Sequence, residues 1–222
     1  MEDATRRQGS IALTWKQAWS DKRFRTITTA GSILLLIILA SLPFFFSWIE
    51  QRPGFTMNDR LLQLIPARDV SVPTFIIIWS MTLFLWLRCV QEPWIFVVAL
   101  VSFILLTLTR MISISLVPLE PPPGLIPLKD PLSSIFYGGP HVFITRDLFF
   151  SGHTSMQLMM FFAFKKKGDK LLALLSSLSI GTLVLVQHVH YTIDVAAAFV
   201  CTYFICYAAR KICVKEERSL KR

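Results

Sequence analysis

Charged residues are scarce in this chain: Asp, Glu, Lys and Arg make up 17% of its 222 residues, whereas hydrophobic residues make up 54%. The sequence contains no recognisable internal repeat, second domain or Gly-rich nucleotide-binding loop. A composition this apolar, with 18 Phe, is typical of a polytopic membrane protein and not of a soluble domain. We therefore expect an integral, multi-pass membrane protein.

Residues that bind metals are also sparse. The chain has four Cys and four His, and neither type shows the spacing of a metal-binding motif. The cysteines lie in or beside hydrophobic segments, where free, buried thiols are expected: Cys89, Cys201, Cys206 and Cys213. The sequence therefore predicts no metal site and no cofactor.

The formal net charge of +9 raises the possibility of nucleic-acid binding. The basic residues, however, cluster at the ends of hydrophobic segments, where they determine the topology of a membrane protein. We therefore expect these basic residues to interact with the lipid bilayer and not with nucleic acid.

Six hydrophobic runs divide the chain, at about 27–49, 73–91, 94–117, 153–164, 171–188 and 191–209. A helix needs about 20 residues to cross a bilayer core, and the fourth run is shorter than that. It can still cross if its start is buried among neighbouring helices and Lys165, Lys166 and Lys167 extend to the far interface. The predicted fold is an all-α bundle of six transmembrane helices.

Lys and Arg are distributed unevenly between the ends of such a bundle. Seventeen of the 23 lie before the first run, after the last run, or in the two loops on that same side. The positive-inside rule then places both termini in the cytoplasm. This predicts a basic cytoplasmic segment (1–26), a six-span membrane domain (27–211) and a basic cytoplasmic tail (212–222). In the first segment, Trp15 and Trp19 share a helix face, which lies either on the membrane surface or at the edge of the bundle.

The loop at about 118–152 is long and rich in Pro and Gly. Long loops without repeats are usually functional or disordered, and this one carries apolar residues along its length. We expect it to fold as a cap over a site on the extracytoplasmic face.

Two polar islands, 146–154 and 188–194, lie where hydrophobic runs meet water-facing loops. Ionisable groups at membrane depth are costly, which makes them functional candidates. His190 and Asp194 are spaced i,i+4, so we expect them on one helix face, with the carboxylate holding one ring nitrogen. A second histidine, His153, is available to donate and accept a proton. These groups suffice for phosphoryl transfer through a phosphohistidine.

The sequences Ser-Gly-His-Thr at 151–154 and His-Tyr-Thr-Ile-Asp-Val at 190–195 resemble the sphingomyelin synthase family. That family is a branch of the type 2 phosphatidic acid phosphatase superfamily. Its first pattern, Cys-Gly-Asp-x-x-x-Ser-Gly-His-Thr, is matched here at Asp147 and at the last four positions. Thr145 and Arg146 stand in place of the Cys-Gly pair.

The phosphatase branch of that superfamily carries a Ser-Arg pair before its second histidine. This chain has Leu183 and Val184 there, and it has no Lys-x6-Arg-Pro signature. The resemblance therefore favours the transferase branch.

The resemblance implies a role for each polar group. His190 attacks the phosphorus, Asp194 fixes its tautomer, and His153 protonates the leaving diacylglycerol and then deprotonates an acceptor hydroxyl. The acceptor is either a lipid alcohol such as ceramide or water. Residues implied to bind substrate or phosphate are Ser151, Gly152, Arg110, Arg146, Asp147, His188 and Tyr191.

Some of these assignments compete with structural explanations. His188 is equally compatible with an interfacial position, Arg146 with marking the membrane interface, and Asp147 with capping a helix start.

The sequence is therefore compatible with three classes of function. The first is a head-group phosphotransferase acting on phospholipids and lipid alcohols. The second is a lipid phosphate phosphatase or phospholipase C-like hydrolase. The third is a non-enzymatic membrane protein with a degenerate site. The sequence leaves the oligomeric state open.

Overall fold

The computed structural model describes residues 14–128 and 144–220, with side chains to Cys213. Within these residues the fold is all-α, as predicted, and its only β-type pairing is an isolated parallel bridge between Phe55 and Leu119. In chain order the α-helices are α1 (Trp15–Ser20), α2 (Lys22–Glu50), α3 (Ser71–Gln91), α4 (Pro93–Leu116), α5 (Gly152–Ala163), α6 (Lys167–Val186) and α7 (Thr192–Leu220). Much of the predicted cap, residues 129–143, lies outside the described residues.

Five helices in the described part of the chain are long and apolar enough to cross a membrane. They are α2, α3, α4, α6 and the Thr192–Cys213 part of α7. The predicted multi-pass character is confirmed. The remaining run corresponds to α5, which has 12 residues and is therefore about 18 Å long, shorter than a bilayer core of about 30 Å.

Helix α2 begins earlier than the hydrophobic pattern predicts, at Lys22 and not at about 27. The side chain of Asp21 accepts a hydrogen bond from the Phe24 amide and so caps the polar first turn. The preceding short helix α1 packs against the bundle: the Trp15 indole donates to the Val90 carbonyl at 2.9 Å. Of the two alternatives for the tryptophans, Trp15 therefore lies at the bundle edge, whereas Trp19 is exposed.

Contacts between helix ends define two ends of the bundle. At one end, Arg88 pairs with Asp169 at 2.9 Å and Lys165 pairs with Glu92 at 3.1 Å. At the other end, called the site end below, the Ser151 amide donates to the Asp194 carbonyl at 3.0 Å. Although α5 is short, the chain from Ser151 to Lys165 thus passes from one end of the bundle to the other.

Small residues let α5 occupy the centre of the bundle. Ala173, Ser177 and Gly181 are spaced four apart on α6, a pattern that permits close helix approach in membranes. The Ser177 hydroxyl donates to the Thr154 carbonyl on α5 at 3.1 Å. A Cβ at Gly181 would lie 3.0 Å from Val195 on α7. The start of α5 is consequently buried among neighbouring helices.

The four cysteines form no disulfide within the described residues. Cys89, Cys206 and Cys213 are buried, as predicted, whereas Cys201 is only partly buried.

Candidate functional site

The start of α5 brings the two polar islands together. Ser151 is the N-cap of the helix, and its hydroxyl oxygen accepts a hydrogen bond from the Thr154 amide at 3.4 Å and from the Thr154 hydroxyl at 3.1 Å. The Ser151 amide in turn donates to Asp194 at the start of α7. Two helix starts are therefore fixed against each other by one backbone hydrogen bond.

His153 and His190 face one another across this junction. Their ring centroids lie 6.4 Å apart, with 63° between the ring planes. Reacting atoms in near-attack geometries are about 3–3.5 Å apart, so a phosphorus atom between the rings would be within reach of both. His190 is only 4% exposed.

Asp194 lies beside His190, with 3.4 Å between Oδ2 and Nδ1. The expectation that both residues lie on one helix is wrong, because α7 begins at Thr192 and His190 belongs to the preceding turn. Asp194 is the third residue of the helix, and its Oδ2 also accepts from the Tyr191 amide at 3.0 Å. An acidic residue at this position commonly caps a helix start. The cap, and not helical spacing, places the carboxylate next to the ring.

Arg110 of α4 supplies positive charge beside His153. Its Nη2 donates to Asp147 Oδ1 at 2.7 Å, and its Nε donates to the Phe150 carbonyl at 3.1 Å. Burial acts to raise the pKa of the Asp147 carboxyl, but the Arg110 guanidinium, together with His190 and His153, outweighs this, so the pKa lies below its usual value. Asp147 thus stays ionised and orients the guanidinium.

Gly152 is required by the position of Arg110. A Cβ at Gly152 would lie 2.8 Å from Nη2 of Arg110 and closer still to Nη1 and Cζ. The absence of a side chain therefore lets the guanidinium lie directly against the first turn of α5.

A cavity of about 400 Å³ opens from this cluster between α2, α3, α4 and α5. Its polar end is formed by Arg110, Asp147, Gly152 and His153. Its walls are mainly apolar and include Leu39, Leu42, Phe45, Phe46, Phe75, Ile78, Trp79, Phe103, Leu106, Met111, Ile114 and Met156. Its size and lining suit a small apolar molecule or a lipid chain with a polar group at one end.

Three residues implied to bind phosphate are engaged elsewhere. The Arg146 guanidinium pairs with Glu120 at 2.8 Å and donates to the carbonyls of Glu50, at 3.0 Å, and Arg52. Of the described residues, those lining the cavity do not include Arg146. Its contacts link the end of α2 to the segment that precedes α5.

Tyr191 and His188 also make structural contacts. The Tyr191 hydroxyl donates to the Glu120 carbonyl at 3.0 Å and accepts from the Met57 amide at 3.2 Å. The two ring nitrogens of His188 lie 2.9 Å from the carbonyls of Pro123 and Ile65. Both side chains thus join the turn before α7 to loops at the site end.

Sequence reasoning missed Asp59, which secures the start of α7. Its Oδ2 accepts from the Thr192 amide at 2.6 Å, and its Oδ1 accepts from the Leu62 amide at 3.0 Å. Burial acts to raise the pKa of Asp59, but these hydrogen bonds outweigh it and hold the pKa below its usual value. Its spacing three residues before Leu62 is a capping signal, whereas nothing in the local sequence indicates the contact with Thr192.

The described residues contain no group of three or more His, Cys, Asp or Glu side chains arranged to hold a metal ion. The site brings together two imidazoles, two carboxylates and one guanidinium. Such a set can transfer protons, form a covalent phosphohistidine and stabilise negative charge on phosphate oxygens.

Comparison with protein-family models gives a match over the part of the chain that carries the candidate site. Residues 146–211 match the family described as "PAP2 superfamily C-terminal". Neither a curated protein nor a solved structure matches the chain significantly. The matched segment contains both polar islands and all of α5 and α6. The match covers 66 of the 222 residues, so the chain is similar to this family over the segment that carries the candidate site.

Proposed function

We propose that the protein is a lipid head-group phosphotransferase of the sphingomyelin synthase type. It moves a phospho-alcohol head group from a glycerophospholipid to ceramide or a similar lipid alcohol through a phosphohistidine. The observation that carries this proposal is the pair of histidine rings, 6.4 Å apart, of which His153 lines the polar end of an apolar cavity.

In the first half-reaction, a bond forms between His190 Nε2 and phosphorus, and the bond from phosphorus to the diacylglycerol oxygen breaks. Asp194 lies beside Nδ1 of His190, which leaves Nε2 as the attacking nitrogen. His153 lines the cavity, whereas His190 does not. A lipid leaving group in the cavity is therefore next to His153, which donates the proton that the departing oxygen takes up.

In the second half-reaction, His153 removes the proton from the acceptor hydroxyl. The acceptor oxygen then forms a bond to phosphorus as the bond to His190 breaks, and the histidine is regenerated. An apolar cavity favours a lipid alcohol over water as the acceptor.

Positive charge and backbone amides stabilise the phosphate oxygens during both steps. Arg110 lies against Gly152 at the start of α5. The first amides of a helix lack intrahelical acceptors, and the helix dipole favours an anion at this end. Arg110 and the N-terminus of α5 together form the anion-binding side of the site.

In the topology proposed with this function, the chain crosses the membrane six times. Helix α5 is the fourth crossing, and both termini lie in the cytoplasm. The end of the bundle that carries Arg88, Lys165, Lys166 and Lys167 then faces the cytoplasm under the positive-inside rule. The site end faces the periplasm or the lumen. Oriented in this way, the enzyme acts on lipids of the extracytoplasmic leaflet.

The test is to incubate the purified protein with head-group-labelled phosphatidylcholine or phosphatidylethanolamine, with and without ceramide. Label appearing in a new lipid only when ceramide is present supports the transferase. Release of a water-soluble phospho-alcohol without ceramide indicates the hydrolase instead. If the protein and its His190→Ala variant give the same background with every lipid, the site is not catalytic.

A further inference from the structure

Two further polar residues, Thr107 and Gln157, line the cavity deeper in the bundle than Arg110 and His153. They form a second polar level. Gln157 follows His153 by four residues on α5, and Thr107 precedes Arg110 by three residues on α4. Residues at these spacings share a helix face. Since α4 runs toward the site end and α5 runs away from it, both residues lie deeper in the bundle, by roughly 4.5 to 6 Å along the helix axes.

The amide of Gln157 lies against Ser176 of α6. Its side chain is buried, at 1% exposure, and its Oε1 accepts a hydrogen bond from the Ser176 hydroxyl on α6 at 3.1 Å. That hydroxyl also lies 3.0 Å from the Ala173 carbonyl. Within the described residues the Gln157 amide nitrogen has no protein acceptor, so its N–H groups are available to the cavity.

Thr107 presents a second donor. It is 8% exposed, and no protein hydrogen bond of its hydroxyl is found in the described part of the chain. Threonines elsewhere in these helices do bond to the carbonyl four residues back, as Thr74 does to Val70 at 2.8 Å. Because Thr107 lines the cavity, its hydroxyl is free to donate to a molecule bound there.

We propose that Gln157 and Thr107 bind the carbonyl with which an acyl chain of the lipid begins. This inference rests on the proposed function, in which the phosphate lies between Arg110 and the two histidines. The ester carbonyls of a glycerophospholipid lie only a few bonds from its phosphorus, so they reach this second level. The hydrocarbon beyond the carbonyl occupies the apolar remainder of the cavity.

This arrangement distinguishes ester-linked lipids from ether-linked lipids with the same head group. An ether-linked alkyl chain fills the same apolar volume but lacks the carbonyl. Both donors then lose their best acceptor, and a site built around a hydrogen bond discriminates against the analogue that cannot make it.

The experiment compares dipalmitoyl phosphatidylcholine with its dihexadecyl ether analogue, and the same pair with an ethanolamine head group. The measured quantity is the ratio of kcat/KM for ester over ether. We expect a ratio of about ten in the wild type, to which both donors contribute. The ratio falls to about three in Gln157→Leu, in which Thr107 still donates. Met156→Leu, which changes an apolar residue of the same cavity, retains the wild-type ratio.

Two further variants test the proposal even if Gln157→Leu fails to fold. Thr107→Val preserves side-chain shape and removes only the hydroxyl. Ser176→Ala keeps Gln157 but removes the donor that orients its amide. Each lowers the ester-to-ether ratio without abolishing it. A wild-type ratio near one overturns the proposal, as does an unchanged ratio in the Gln157 and Thr107 variants.

A binding measurement separates this inference from the proposed function. If no lipid is turned over, the proposed transferase is wrong, but the same ester and ether lipids still report on the cavity through the unfolding temperature of the detergent-solubilised protein. A larger rise with the ester in the wild type, and a smaller difference between the two lipids in Gln157→Leu, supports carbonyl binding. Equal rises with the two lipids in the wild type refute it.

Discussion

The guanidinium of Arg110 occupies the space where any side chain at residue 152 would begin. A Cβ on Gly152 would lie 2.8 Å from Nη2 and closer still to the guanidinium carbon. The same guanidinium is fixed from the other side by Asp147 at 2.7 Å. It is thus held between a carboxylate and a helix start, beside His153.

Gly152→Ala should therefore displace Arg110. We expect kcat to fall by about 100-fold, because one preorganised charge is lost from the transition state, and the free energy of unfolding to drop by about 1–3 kcal/mol from overpacking. Turnover and the unfolding temperature measure the two effects. The matched control is Gly168→Ala on α6, where a Cβ meets nothing within 4 Å. If both variants behave alike, the contact with Arg110 does not matter.

The two histidines should differ in their effect on the covalent intermediate. His190→Ala removes the nucleophile, so rapid-quench trapping should find no phosphohistidine. His153→Ala removes the proton donor, so a substrate with a good leaving group should restore the first half-reaction. An adduct that survives in His190→Ala but not in His153→Ala would reverse the two roles.

Asp194→Asn should separate the catalytic and structural roles of this residue. The amide oxygen still accepts from the Tyr191 amide, so the helix cap and the unfolding temperature should be largely retained. The neutral side chain no longer stabilises the imidazolium, and kcat should fall by about 10⁴-fold. A variant of near wild-type activity would show that the 3.4 Å pairing with His190 has no catalytic role.

Substitution of Arg110 should mainly lower kcat, whereas substitution of Arg146 should mainly lower stability. Arg110→Gln should reduce kcat by about 100-fold or more with a smaller effect on folding. Arg146→Gln breaks the link between Glu120 and the end of α2, so it should cost about 2–4 kcal/mol of stability and leave kcat of the folded fraction close to normal. Kinetics and thermal unfolding of both variants in detergent test this. A loss of kcat in folded Arg146→Gln would return Arg146 to the phosphate site.

Asp59 should make stability depend on pH. Because folding lowers its pKa, the carboxylate stabilises the folded state above the unfolded-state pKa of about 4. This stabilisation is lost as the pH falls through the lower, folded-state pKa. Asp59→Ala should reduce stability by about 1 kcal/mol at pH 7, and the difference from the wild type should shrink below about pH 4. Asn58→Ala serves as the neighbouring control. A difference that does not change with pH would contradict this role.

Hydrophobic periodicity and charge were enough to predict the helical fold and most helix positions, because apolar length alone determines which segments can cross a bilayer. The motif spacing also indicated which groups meet, since the Ser151 cap and the Asp194 cap are local features of two helix starts. The early start of α2 was missed because it depends on one capping residue, Asp21, and not on hydrophobicity.

The structural positions of Arg146, Tyr191 and His188 could not be predicted from local pattern. Their partners lie 26 to 134 residues away in the chain. A local motif specifies residue types and spacing, but it does not specify contacts with residues that are distant in sequence. The same limit applies to Gln157, which appears in sequence as one polar residue in an apolar run. The role proposed for it rests on the cavity and on Ser176 of the neighbouring helix.

The shortness of α5 has a consequence for the depth of the reaction. Arg110 lies six residues before the end of α4, which is about 9 Å along the helix, and its guanidinium lies against the first turn of α5. In the proposed reaction, the phosphorus therefore lies below the plane in which the flanking helices end. A head group can reach His153 only by sinking below its usual interfacial position or by local thinning of the leaflet around the site end. Turnover should accordingly rise in bilayers of shorter-chain lipids and fall in thicker ones.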